Sequence, residues 1–225
     1  MIINTAKRLW NGAKSRLIQR FAPLNQERLT QAVAAQAGLT PITQTKDDDI
    51  VVIGYPKSGN TWLQNLAVGV LYHRNPDQAT DTLIQELIPD VRSRKYYQRF
   101  CQPMVLKSHD LPCPRYQRVV YLLRDGRDVM VPYYHHLRAT HGDAIDWRRM
   151  IEQVEGLIPC RWHEHVQAWG TNPYAAQMIT IRHEDLQQDP VAQLRRFCQF
   201  VGLEADDTLL KLAAAGASFS SMRKK

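Results

Sequence analysis

Two lysines, one histidine and one arginine carry the chemistry of this sequence, and each stands just after a short apolar run. Lys57 follows Ile50-Val51-Val52-Ile53-Gly54, Lys107 and His109 follow Met104-Val105-Leu106, and Arg124 follows Val119–Leu123. The first of these runs passes into Gly54-Tyr55-Pro56-Lys57-Ser58-Gly59-Asn60-Thr61-Trp62 and then into a helical stretch over 61–72. A tight turn between a strand and a helix points several backbone N–H groups at one spot, and the helix adds unpaired amides and the positive end of its dipole. That arrangement binds phosphate or sulfate. Gly54, Gly59 and Thr61 keep the spacing of the phosphate-binding pattern G-x-x-x-x-G-K-[ST], but Asn60 stands where that pattern needs lysine. No paired carboxylates for magnesium stand out at the strand ends, which argues against phosphoryl transfer by a kinase or NTPase. A sulfuryl group carries less charge and moves without a metal. Lysines would neutralise the transferred oxygens and the leaving phosphate, and a histidine would take the proton of an attacking hydroxyl.

The elements that must position these groups follow from the same runs. Strands at Ile50–Gly54, Met104–Lys107, Val119–Leu123 and Met178–Ile181, with helical stretches between, predict an α/β fold: a three-layer, P-loop NTPase-like domain with a central parallel sheet flanked by helices. Ligands in such sheets bind beyond the carboxyl ends of the strands. Residues 29–49, ending in Lys46-Asp47-Asp48-Asp49, read as a polar, solvated approach to the first strand.

The chain has 225 residues and a net charge of +7, but the charge is concentrated at its ends. Residues 1–28 hold six basic groups against one acid, and Arg223, Lys224 and Lys225 add three more, so the body between is nearly neutral. A broad basic face for nucleic acid is therefore not expected. In residues 1–28, Ile3, Trp10, Leu17 and Leu24 recur every seven positions, predicting a basic amphipathic helix. Packing on the protein's own body or a second subunit is the favoured role for it, with peripheral contact to an anionic membrane surface as the alternative. Cys101, Cys113, Cys160 and Cys198 form no C-x-x-C pair and read as reduced thiols, pointing to the cytoplasm. Cys160, His163 and His165 have the residue types of a metal site, yet their helical segment explains them without one. His135 and His136 read as solvated or packed helix residues. Tyr96, Tyr97, Phe100, Tyr133, Tyr134 and Trp147 line an apolar acceptor pocket or belong to the core.

Y-P-K-S-G-N-T-W at 55–62, V-L-K-S-H-D-L-P at 105–112 and V-V-Y-L-L-R-D-G-R-D-V-M-V at 119–131 resemble the signature segments of cytosolic-type sulfotransferases. R-W-H-E-H-V-Q-A-W at 161–169, H-E-D-L-Q-Q-D-P at 183–190 and S-F-S-S-M-R at 218–223 extend the resemblance over about residues 46–223. It implies 3′-phosphoadenosine-5′-phosphosulfate (PAPS) as donor, no metal, and a small-molecule acceptor with a hydroxyl or amine. Lys57, Thr61 and the loop at Ser58, Gly59 and Asn60 would hold the 5′-phosphosulfate, Lys57 steadying the leaving oxygen. His109 would be the general base and Lys107 would stabilise the sulfuryl group. Trp62 and Phe219 would flank the adenine, His183 stands at an adenine-contacting position, and Arg124 would grip the 3′-phosphate. Two departures touch that phosphate: Pro132 replaces the family's serine, and the sequence stops at Lys225 before an R-K-G-x-x-G-type segment that covers the donor. The expectation is therefore a domain over 29–225 lacking that segment, first as a truncated enzyme and otherwise as a non-catalytic relative binding adenosine 3′,5′-bisphosphate-like nucleotides.

Overall fold

The computed structural model describes residues 29–73, 75–142 and 145–222, with Phe219 described by its backbone alone. The amphipathic helix expected over 1–28 and the basic residues 223–225 lie outside the described residues. Four strands form the central sheet: β2 (Ile50–Gly54), β4 (Val105–Ser108), β5 (Arg118–Leu123) and β6 (Gln177–Arg182), in the order β4-β2-β5-β6. All three pairings are parallel, as the apolar runs predict. β2 is buried along its whole length, because both faces of the sheet are covered.

Alternation along the strands sorts side chains into two cores. Ile50, Val52, Val120 and Leu122 face helices α2 (Asn60–Leu71), α8 (Pro190–Val201) and α9 (Asp207–Gly216). Val51, Ile53, Val119 and Tyr121 face the other side, where Trp169 of α6 (Trp162–Thr171) packs with Tyr97 and Tyr116. A third cluster, built on Tyr55, Val129, Tyr133 and Leu137, seats α4 (Gly126–His141) beside the β2–α2 loop. The chain runs from β2 to β4 on one side and then returns to β5 on the other. The sheet therefore reverses its direction of growth at β2, and the crevice beyond the end of β2 is where such a sheet receives ligands.

Residues 29–49 are more ordered than their composition suggests. A helix, α1, covers residues 29–36, and β1 (Leu39–Pro41) pairs antiparallel with β3 (Tyr96–Gln98). Asp49 is also not solvated: it is 3% exposed, and its carboxylate receives two bonds from Arg99, at 2.8 and 2.6 Å. The amides of Lys46 and Met104 donate to the same carboxylate, tying the start of β2 to the turn before β4. Among the described residues no helix is long and apolar enough to cross a membrane.

Burial alone would raise the pKa of Asp49, but Arg99 and the two amides outweigh it and hold the carboxyl below its usual 3.8. Its contribution to stability is therefore complete above pH 3.8 and lost as the pH falls through the lower folded value. Arg99→Ala leaves that carboxylate buried without its cation, at a cost of about 3–5 kcal/mol. Urea unfolding at pH 7 should show this loss, and acid unfolding of the variant should begin at a higher pH than in the parent chain.

Candidate active site

The loop between β2 and α2 owes its shape to two backbone features. Lys57 and Gly59 have left-handed φ angles of 68° and 98°, and Ser58 N–H closes a turn onto the carbonyl of Tyr55 at 3.1 Å. Left-handed residues alternating with others in a short loop are the backbone pattern of an anion nest. No side chain caps the N-terminus of α2, and its first turn holds no acid. Its unpaired amides and positive dipole end are thus open to a negatively charged ligand. Asn60, out of place in the phosphate-binding pattern, has a local task. Its side-chain amide donates to the carbonyls of Tyr55 (3.0 Å) and Gly54 (3.5 Å), holding the loop against the helix start.

His109 follows β4, and its Nδ1 lies within hydrogen-bond distance of Gly54 O. A carbonyl can only accept, so Nδ1 carries the proton and Nε2 keeps its lone pair. Burial first, and then Lys107, pull the imidazole down from 6.5 to about 4, so it stays neutral at physiological pH. Lys107 stands two residues earlier on β4, and its ammonium donates to Asp90 at 2.6 Å. Asp90 is a residue that the sequence reading missed. It lies in the coil after α3 (Asp81–Leu87), held there by a bridge in which Lys107 N–H donates to Pro89 O and Val91 N–H to Lys107 O. Lys57 is held below its ordinary pKa by burial and then by repulsion from Lys107.

A cavity of about 710 Å³ is lined by Lys57, Gly59, Asn60, Thr61, Lys107, His109 and Arg124 together. Seven of the expected site residues therefore meet in one place, at the carboxyl ends of β2, β4 and β5. Arg124 donates through one terminal nitrogen to the carbonyl of Lys57 at 3.1 Å. Ser58 Oγ, Arg124 Nε and His183 Nδ1 are buried around this loop without a hydrogen-bond partner among the described residues. Leaving such atoms unpaired costs about 1–3 kcal/mol each, and a polar ligand beside the loop is one way to satisfy them.

Trp62 and His183 pair behind the loop, their rings edge to face at 5.5 Å, and the Trp62 indole donates to Ala217 O at 2.8 Å. Burial and Arg124 lower the pKa of His183. Phe219 opens the short helix α10 (Phe219–Met222), but its side chain lies outside the described residues. His165 is fully buried, stacked on Tyr121 and bonded to its hydroxyl at 3.2 Å. Among the described residues no three His, Cys, Asp or Glu side chains gather as a metal site.

The far wall of the cavity is α4, through Pro132, Tyr133, His136, Leu137, Thr140 and His141. His136 thus faces the site instead of plain solvent. Pro132, His136 and Thr140 are spaced four apart and so share one face of α4, but only the structure shows that this face meets the lysine loop. Of the six aromatics read as pocket or core, Tyr133 lines this cavity. Tyr97 is core, and Tyr134 packs edge to face on Trp147 at 5.3 Å. Pro132 is the seventh residue of a sixteen-residue helix, not part of its first turn, so the helix runs on without one backbone bond. A second cavity of about 810 Å³, lined by Met130, Val131, Trp147, Ile151 and Trp162, meets the first at Arg124.

A family model described as Sulfotransferase domain matches residues 47–225. The chain is 28% identical over 218 residues to sulfotransferase 1C2 of Oryctolagus cuniculus, covering 87% of this chain and 72% of that protein. Among solved structures it is similar to mouse sulfotransferase SULT7A1 complexed with PAP, with a TM-score of 0.60, 21% identity, and coverage of 81% of this chain and 67% of that one. Retinol dehydratase in complex with androsterone and PAP gives the same TM-score of 0.60 at 18% identity, covering 80% of this chain and 67% of that one.

The loop geometry makes Gly59 hard to replace. A Cβ there would sit 2.6 Å from His183 Nδ1 on a backbone with φ of +98°, which L side chains rarely adopt. Gly59→Ala should cost about 1–3 kcal/mol in urea unfolding. Because the cradle must distort to accept it, the variant should also lose anion affinity, read by titration with pyrophosphate.

Proposed function

The chain belongs to the Sulfotransferase domain family, and from that premise we propose that it moves a sulfuryl group from PAPS to a hydroxyl group of a small-molecule acceptor. The observation that carries this reading is the state of His109. Its Nδ1 is committed to Gly54 O, so Nε2 is unprotonated at neutral pH and free to accept a proton, in a cavity shared with Lys57 and the uncapped start of α2. Relatives solved with PAP support the choice of donor, as do the partnerless Ser58 Oγ and Arg124 Nε beside the loop.

When bound, the donor supplies an activated sulfuryl group on a phosphate leaving group. In our reading the amides of Gly59–Thr61 and the hydroxyls of Ser58 and Thr61 hold the phosphosulfate end, and Lys57 neutralises charge on the leaving oxygen. Lys107 faces the oxygens of the group in transit, with Asp90 fixing where its ammonium stands. His109 Nε2 takes the proton of the acceptor hydroxyl as the acceptor oxygen bonds to sulfur and the bond from sulfur to the phosphate oxygen breaks. Arg124 reads the 3′-phosphate, and Trp62, His183 and Phe219 hold the adenine. The four cysteines are free thiols, which suits a reducing compartment such as the cytoplasm.

Calorimetric titration should show adenosine 3′,5′-bisphosphate binding more tightly than AMP, and Arg124→Ala should reduce that preference by on the order of tenfold or more. Equal binding of the two nucleotides would remove PAPS as the donor. His109→Ala should abolish transfer while leaving bisphosphate binding nearly intact. The pH dependence follows from the depressed pKa: the base form persists down to about 4, so kcat/KM should fall through pH 4 and not through 6.5. An acid limb near 6.5 would assign the base elsewhere.

A further inference from the structure

Helix α6 and the residue pair before it are bonded to all three strand-end loops that carry the site. The Tyr55 hydroxyl, from the loop after β2, donates to the carbonyl of Cys160 at 2.8 Å. The Trp162 indole donates to the carbonyl of Arg124, after β5, at 3.2 Å, and the Trp169 indole to the carbonyl of Asp110, after β4, at 3.1 Å. Between the two indoles, His165 stacks on Tyr121 and stands edge to face with Tyr55 at 5.5 Å. Burial lowers the pKa of His165 to about 4, against the backbone of His109 and of Asp110, which lies beside the ring and favours its charged form.

The spacing of these contacts matches the sheet. Trp162 and Trp169 are seven positions apart on α6, a rise of about 10.5 Å along one helix face. β5 and β4 lie on either side of β2, so their ends are two strand spacings apart, about 9.6 Å. The helix thus crosses the strand ends with one ring at each. Other ties on the turn after His109 are local or weak. The amide and carboxylate of Asp110 bond to Ser108 and Tyr116 of the same segment, and its ion pair with Arg92 is 3.4 Å long and at the surface, where such pairs contribute little. Trp169 is 1% exposed and joins this turn to another element in the interior. At the other end the fit is equally close, since a Cβ on Gly126 would lie 2.8 Å from the Trp162 ring.

We propose that α6 is a positioning element for the reaction: Trp169 sets His109 through the carbonyl of Asp110, Trp162 sets Arg124 through its own carbonyl, and His165 braces Tyr55 between them. The assignment rests on the sulfuryl-transfer reading only for what the placed groups do. Two variants that keep a ring and remove the N–H test it, Trp169→Phe and Trp162→Phe. With PAPS as donor and 2-naphthol as acceptor, Trp169→Phe should lower kcat roughly tenfold or more. Nitrogen-15 NMR should show His109 passing from the Nδ1–H tautomer to a mixture of tautomers, with the calorimetric preference for adenosine 3′,5′-bisphosphate over AMP as in the parent chain. Trp162→Phe should lower that preference roughly fivefold and leave the His109 signals in place. The benzothienyl analogue of tryptophan at position 169, which keeps the ring's size and lacks the N–H, should act as phenylalanine does, setting lost volume aside. A merely structural role predicts that both variants lower the urea midpoint and move all readouts together; that result, or a His109 tautomer unmoved by Trp169→Phe and by the analogue, overturns the proposal. The NMR change without transfer by the parent chain would sustain the positioning role and defeat the transferase reading. Transfer by the parent chain with kcat and tautomer unmoved at Trp169 would do the reverse.

Discussion

The carbonyl of Gly54 is the point from which the site hangs. It is the last backbone acceptor of β2, and it receives the His109 ring from β4 and the Asn60 side chain from the start of α2. One oxygen thus ties together the strand at which the sheet reverses, the strand bearing the base and the helix bearing the anion cradle. It also decides the tautomer of His109, and so which nitrogen is free to take a proton. Space around this point is fully used. A Cβ on Gly54 would fall 2.4 Å from Asn60 Oδ1, so the close approach needs glycine.

Burial and charge act in the same direction at this site. Burial disfavours the protonated form of His109 and of Lys57, and Lys107 disfavours it further in both. Left alone, so many cations at the end of one sheet would repel each other and the groups that hold them. Asp90 answers part of that repulsion by pairing with Lys107 at 2.6 Å, where the two side chains are 18% and 13% exposed. The remainder, Lys57 and Arg124, favours a ligand that arrives negatively charged, as the phosphosulfate and 3′-phosphate of the proposed donor do.

Much of this architecture was legible in the residues because it is local. Apolar runs of the kind buried in a parallel sheet gave strands within a residue or two of those observed, and strand ends carrying Lys57, His109 and Arg124 placed the site where such sheets bind ligands. What escaped was set by contacts across the chain. Nothing near Asp90 in sequence reveals that it will meet Lys107, 17 positions away. The acidic run at 46–49 looks solvated until Arg99, 50 residues on, buries Asp49. His136 escaped for another reason: a histidine on a helix is ordinarily solvated, and its significance depends on which face of α4 the loop touches.

That face includes the residue that departs from the family pattern. Pro132 cannot donate to the carbonyl of residue 128, so α4 carries a missing bond in its second turn, a defect that costs about 3 kcal/mol in a helix interior unless packing absorbs it. Here packing can absorb it. Val129 on one side of the proline and Tyr133 and Leu137 on the other are buried with Tyr55, and the Tyr133 hydroxyl accepts the amide of Ile158 at 3.0 Å. The helix is therefore anchored on both sides of its weak point, and the proline ring itself lines the cavity. A serine at this place would offer a hydroxyl to a ligand. A proline offers only shape, and the polar side chains of this wall stand one and two turns along the same face, at His136 and Thr140.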